Sequence, residues 1–262
     1  MTGEPEPAAV WDAEYESGRY GDEPPVPFTR DILAAANQAG LTRGLYIGCG
    51  NGRNYLPLVA GGLDLTGLDI SATAISQLAD RAPGRRDHLI RGDLAALPVD
   101  ARYPVVIGIQ VFQHGDRAAA HEHLRAAQRR VEPGGLFCLR VNATATDIWP
   151  SHEVTAHDPD GGLTIRYLAG SKQGLLVHFF TGTELDALFA AGFTPVLPLR
   201  LQSTRRDPPA PGQWSQWEAI WSKAQSTAWR RRRQVDPVAS AATPASGRYH
   251  SHEAPGPAPY PT

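Results

Sequence analysis

A glycine-dense run, Gly48-Cys49-Gly50-Asn51-Gly52-Arg53-Asn54, directly follows the apolar stretch GLYIG (44–48). Glycines at alternate positions let a backbone turn sharply and let a ligand approach without meeting a Cβ. A helix opening there offers free N–H groups and the positive end of its dipole. The spacing is G-x-G-x-G, whereas a nicotinamide site more usually shows G-x-G-x-x-G, and the next glycines, Gly61 and Gly62, fall outside that pattern. Two acids stand at the ends of later apolar stretches. Asp69 closes LTGLDIS, where a carboxylate can accept from both hydroxyls of a ribose. Asp93, in RGDL, can accept from an adenine amino group, with Ile70 and Leu94 placed to sandwich the ring. Gln110, Gln113 and His114 end the stretch PVVIGIQVFQHGD, at the edge where a second substrate would meet the first ligand. His114 is the candidate general base, needed only if the attacking group must lose a proton.

These residues need elements to hold them. Five short apolar stretches, GLYIG, LDLTGLD, DHLIR, PVVIGIQV and GLFCLRV, read as strands apolar on both faces, as in a parallel sheet covered by helices. Helical stretches separate them: TRDILAAANQAG before the first, SATAISQLADRA with Ser71 as N-cap after the second, and DRAAAHEHLRAAQRRV after the fourth. This alternation implies right-handed crossovers and an open, doubly wound α/β sheet, whose ligands sit beyond the carboxyl ends of the strands. Past residue 160, LTIRYL and LLVHFF read as strands, TGTELDALFAAGF as a helix, and TPVLPLRLQ with QWSQWEAIW as a closing antiparallel pair.

Composition narrows the classes further. The 262 residues carry 25 basic and 27 acidic side chains, a net charge of −2, which gives no general bias toward nucleic acid. No apolar run approaches the ~20 residues of a membrane span, and MTGEPEPAAV lacks the pattern of a signal peptide, so a cytoplasmic location is expected. Cys49 and Cys138 are too few for a disulfide framework. His152, Glu153, His157 and Asp158 in SHEVTAHDPD are metal-ligating types, but without H-E-x-x-H spacing no metal site is expected. His178, in LLVHFF, faces either pocket or core, with core preferred; the tryptophans Trp149, Trp214, Trp217 and Trp221 read chiefly as packing residues. Arg230 to Arg233 and the proline-rich residues 235–262 read as a solvated helix end and a flexible tail.

The segments LYIGCGNGRN, LTGLDIS, RGDLAALPV, VIGIQVFQH and LRAAQRRVEPGGLFCLRV together resemble the class I S-adenosylmethionine-dependent methyltransferases. The resemblance is good over residues 28–142 and loose over 175–222. It implies a Rossmann-like, seven-stranded sheet, mostly parallel with an antiparallel last strand, and S-adenosylmethionine as cofactor. On this reading Gly48, Cys49, Gly50, Asn51, Gly52, Asn54, Asp69, Ile70, Asp93, Leu94 and Gln110 hold the cofactor. The run GCGNGRNYLPL is also similar to the tellurite-resistance branch of methyltransferases. Many relatives carry an acid two residues before the first glycine, where this chain has Tyr46.

The expected organisation is an N-terminal aromatic segment (1–27), a methyltransferase domain (28–222) with a substrate-side insertion (143–180), and a basic, then Pro/Ala-rich tail (223–262). Trp11, Tyr15 and Tyr20 crowd WDAEYESGRY, and W-D-x-x-Y-type starts occur in related methyltransferases. The segment is expected to be a lid, mobile without ligand, with Tyr15 or Tyr20 offering a hydroxyl to the cofactor's carboxylate end or to the acceptor. The expected acceptor is a small molecule, a specialised metabolite, with neither nucleic acid nor membrane as partner. The alternatives are a tellurite- or thiol-type detoxifying methyltransferase and a cofactor-binding member of the fold that transfers no methyl group.

Overall fold

The structure, a computed structural model, describes residues 6–149, 151–208 and 210–225. The Arg230–Arg233 run and the proline-rich tail lie outside these residues. Seven strands form one sheet in the order β3-β2-β1-β4-β5-β10-β9. Their ranges are β1 Arg43–Ile47, β2 Asp64–Asp69, β3 Leu89–Arg91, β4 Tyr103–Ile109, β5 Val131–Asn142, β9 Phe193–Arg205 and β10 Gln213–Lys223. The first five pair parallel, and β10 runs antiparallel to both β5 and β9. This is the expected sheet with its antiparallel last strand. β10 continues through Lys223, whose Nζ donates to the carbonyls of Gln128 and Val131, so ordered structure reaches one residue into the segment read as tail.

Period-two alternation along each strand splits the core between the two faces of the sheet. Leu45, Ile47, Val106, Phe137, Leu139 and Trp221 share one face with residues of α5 (Arg117–Arg129) and α6 (Gly182–Phe189). Tyr46, Leu65, Val105, Ile107, Cys138 and Ile220 share the other with α2 (Phe28–Gln38), α3 (Tyr55–Ala60) and α4 (Ala72–Arg81). Trp221 stacks on Phe189 at 3.8 Å, so this tryptophan is a packing residue.

The insertion is a three-stranded antiparallel sheet, β6 (His152–His157), β7 (Leu163–Tyr167) and β8 (Leu176–Phe179). LTIRYL and LLVHFF supply β7 and β8; β6, in SHEVTAHDPD, is a strand that the sequence did not announce. β8 is stitched to the chain just past β4. His178 N donates to Gln113 O at 2.8 Å, and Gly115 N donates to Leu176 O at 2.9 Å.

Trp11 and Tyr15 belong to a helix, α1 (Pro7–Glu16), which packs on α4, and Tyr20 lies in the turn beyond it. Asp12 Oδ1 accepts from Ser71 Oγ at 2.6 Å and from Thr73 N at 3.0 Å, joining Ser71 in capping α4. Gln77 Nε2 returns a bond to Tyr15 O at 3.0 Å. The segment expected to act as a lid is placed here as a docked helix that completes its neighbour's cap. Burial alone would raise the Asp12 carboxyl, but the bonds from Ser71 and Thr73 hold it below its ordinary 3.8. A carboxyl depressed in the folded state contributes stability above its unfolded pKa and loses it as pH falls through the folded value. Asp12→Ala is therefore expected to cost ~1 kcal/mol of unfolding free energy at pH 7. In denaturant titrations that difference should shrink as pH falls below 3.8; an undiminished difference in acid would mean that Asp12 acts otherwise.

Candidate active site

Beyond the carboxyl ends of β1, β2 and β4 lies a cavity of about 300 Å³. The chain enters it through the glycine turn. Gly48 has φ +69°, and a Cβ there would lie 2.8 Å from the Val111 side chain. Gly50 has φ +56°, and a Cβ there would lie 2.5 Å from Tyr15 Oη. Gly50 is thus required chiefly because Tyr15, from α1, closes directly onto the turn. Burial first, then the nearby Asp69 charge, push the Tyr15 hydroxyl well above its ordinary 10, so it remains a donor.

Asp69 ends β2 and is buried. Its Oδ2 accepts from Gly50 N at 2.8 Å and its Oδ1 from Ser71 N at 2.9 Å. One carboxylate therefore ties the glycine turn to the start of α4. Burial raises its pKa above 3.8, against the backbone bonds from Ser71 and Gly50 that lower it. Asp93 lines the same cavity while its Oδ1 caps the short 3₁₀ turn Leu94–Ala96 through Ala95 N at 2.8 Å.

Of the residues expected to hold a ligand, Tyr15, Tyr20, Gly48, Cys49, Gly50, Asn51, Asn54, Asp69, Ile70, Asp93 and Gln110 line the cavity, as does His114. Two do not. Leu94 is turned by the 3₁₀ geometry into the core with Leu97 and Val106, so it cannot face a ring bound beside Ile70. His123 of α5, within electrostatic reach of Asp93, borders the cavity instead. Gly52 also lies off the cavity: a Cβ there would lie 2.6 Å from Leu78 and 3.0 Å from Leu56, so its role is to let α3 and α4 pack. Tyr20 is placed with φ +67° and donates from Oη to Glu14 Oε2 at 3.2 Å, which commits its hydroxyl to α1. Tyr46, standing where relatives carry an acid, is buried in the cavity wall with its hydroxyl bonded to Asn54.

At the end of β4, Gln110 adopts φ +58°, a left-handed conformation that costs a non-glycine residue ~1–2 kcal/mol. That turn sends the chain back along β8 and sets Gln113 and His114 on the cavity wall. Gln113 Oε1 and His114 Nδ1 are buried and have no hydrogen-bond partner among the described residues. The His114 ring meets Trp11 edge-on at 5.1 Å. Tyr167, Lys172 and Val177 from the insertion, with Trp214 and Asn142, complete this compartment. Sequence reasoning missed Lys172, Tyr167 and the lining role of Trp214; the first two lie outside the main sheet and Trp214 at the amino end of β10, whereas ligand residues were sought at carboxyl ends. Trp149, placed in the insertion, is exposed and does not line the cavity.

Within SHEVTAHDPD, Glu153 pairs with Arg166 at 2.9 Å, and His157 is exposed. His178 is buried outside the cavity and bonds Thr164 and Glu184. Glu184 gathers His121, His178 and Arg117, and the two histidines with Glu184 have ligand-type spacing. Arg117 Nε, 2.9 Å from the same Glu184 oxygen, already supplies a cation there. The cluster is an ion-paired clamp between the insertion, α5 and α6.

The methyltransferase-domain family matches residues 45–135. No curated protein sequence matches the chain significantly. Among solved structures, the 1,6-didemethyltoxoflavin N1-methyltransferase of Burkholderia thailandensis, with 1,6-didemethyltoxoflavin and S-adenosylhomocysteine bound, is 21% identical with a TM-score of 0.57, covering 86% of this chain and 92% of that one. The CcbJ methyltransferase of Streptomyces caelestis is 20% identical with a TM-score of 0.57, covering 82% and 98%. TehB of Haemophilus influenzae is 18% identical with a TM-score of 0.53, covering 81% and 66%. The fold is the one these methyltransferase structures share, and the match to the methyltransferase-domain family spans residues 45–135. Among the described residues, no helix is long and apolar enough to cross a membrane.

Burial first, and then the nearby Lys172 charge, push the His114 imidazole down to about 3. A group so placed is neutral across the physiological range. The ring is therefore in the unprotonated form that a general base requires, although an imidazole depressed this far is a weak base. Histidine resonances followed by NMR from pH 8 to 4 should show His114 without a titration step. A midpoint near 6.5 would contradict this burial and make the ring a stronger base.

Proposed function

We propose that this protein is an S-adenosylmethionine-dependent methyltransferase whose acceptor is a small molecule of specialised metabolism. The observation carrying this reading is the placement of Asp69. A buried carboxylate at the end of β2, fixed by two backbone N–H groups, stands in one cavity with the glycine turn and a separate aromatic compartment. The residues present fit the cofactor: Asp69 for the ribose hydroxyls, Ile70 and Asp93 for the adenine, and the Gly48–Asn51 turn for the methionine portion. Asn51 Oδ1, buried and unpartnered among the described residues, adds an acceptor on that turn.

When bound, the cofactor supplies a methyl carbon already electrophilic on a sulfonium sulfur. What remains for the chain is alignment and exclusion of water. Tyr15 covers the glycine turn and Trp11 stands against His114, so α1 roofs the junction of the two compartments. Gln113 Oε1 and His114 Nδ1 hold the acceptor by its polar edge and orient its attacking atom toward β1. The aromatic compartment supports an organic acceptor over a metalloid ion, which would need no Trp11, Tyr167 or Trp214.

Calorimetry with S-adenosylhomocysteine tests the reading. Asp69→Ala should weaken binding by ~1.5–3 kcal/mol, the range for hydrogen bonds to a charged group. The ribose hydroxyls require the ionised carboxylate as acceptor, so wild-type affinity should fall as pH is lowered through an Asp69 pKa lying above 3.8. Equal affinity for Asp69→Ala and wild type would remove the cofactor from this site.

A further inference from the structure

We infer that the acceptor is a planar aromatic molecule bearing an anionic oxygen, and that Lys172 is the residue that selects it. This inference rests on the methyltransferase reading and deepens it. Lys172 lies in the connection between β7 and β8 and reaches back to line the cavity. Its Nζ stands 4.8 Å over the Trp11 ring. Among the described residues, no carboxylate forms a salt bridge with it. The cavity's other lining cations do have partners: Arg53 pairs with Glu23 at 2.7 Å and Arg19 with Glu14 at 3.5 Å.

A half-buried ammonium held over a ring face, with no carboxylate paired to it, keeps hydrogen-bonding capacity for a bound molecule. Burial accordingly lowers the Lys172 pKa, with Glu14 opposing and Arg19 assisting. An anionic oxygen of a bound molecule would satisfy it, through a charge-assisted hydrogen bond at about twice the strength of a neutral one. The rest of the compartment describes the remainder of that molecule. Trp11, Tyr167 and Trp214 offer aromatic surface, and Gln113 Oε1 with His114 Nδ1 offers unpaired polar atoms in the same cavity. Lys172, Trp11 and His114 adjoin one another in that order, so an acceptor pinned by its oxygen at Lys172 lies along Trp11 toward the end of β4.

The same ammonium could in principle hold the methionine carboxylate of the cofactor, and the experiment separates the two sources. Naphthalene-2-carboxylate and its neutral analogue naphthalene-2-carboxamide are titrated into protein saturated with S-adenosylhomocysteine. The wild type should bind the carboxylate at least about tenfold more tightly than the amide, the least expected of a hydrogen bond to a charged group. K172M should erase that preference, K172R should retain most of it, and K172M should bind S-adenosylhomocysteine as the wild type does. A wild type indifferent between the two probes overturns the inference. So does a large loss of S-adenosylhomocysteine affinity in K172M, which assigns the lysine to the cofactor. Wild-type protein that binds no S-adenosylhomocysteine at all refutes the methyltransferase reading itself, and the inference with it.

Discussion

The carboxylate of Asp69 is the constraint on which the ligand-facing edge of the protein depends. It is buried, and each of its oxygens accepts from one backbone N–H, Gly50 on one side and Ser71 on the other. A buried charge is tolerable only when hydrogen-bonded in this way. The arrangement has a geometric product. It holds the glycine turn after β1 beside the start of α4, two segments that no strand pairing would otherwise join at that point. Ser71 then caps α4, Asp12 caps it a second time, and α1 is thereby carried over the cavity mouth. The roof over the site is therefore built on the same few atoms as its floor.

Much of that edge was legible in the sequence because it is local. Gly48, Gly50, Asp69 and Ser71 each follow directly from the end of a strand, and strand ends were recognisable from short apolar runs. The alternation of helix and strand also implied the sheet and the side on which ligands bind. The residues that escaped are those placed by tertiary packing. Leu94 sits one residue past a correctly identified acid, yet a single 3₁₀ turn rotates it into the core. Gly52 belongs to the glycine motif by spacing but serves the approach of Leu78 and Leu56. Lys172 lies in a hairpin whose direction depends on a third strand, β6, that carries no clear alternation signal.

The insertion adds its own residues to the wall of the cavity beyond the main sheet. β8 bonds the backbone on both sides of His114, and the Glu184 cluster clamps the insertion to α5 and α6. The segment after β4 is thus held from two directions, with Gln110 kept in a left-handed conformation at its start. Strain of this kind persists only where surrounding structure over-determines it. Its consequence is that Gln113 and His114 keep unpaired polar atoms in a cavity that Tyr167 and Lys172 also line from the insertion.

The account stands most directly on where a nucleoside binds relative to Asp69. A crystal structure of the protein with S-adenosylhomocysteine tests this in one measurement. The account predicts both ribose hydroxyls within hydrogen-bond distance of the Asp69 carboxylate, with the Tyr15 ring over Gly50 closing the turn behind them. A nucleoside seated elsewhere, with Asp69 still bonded only to Gly50 and Ser71, would contradict it and leave the carboxylate as a purely structural tie.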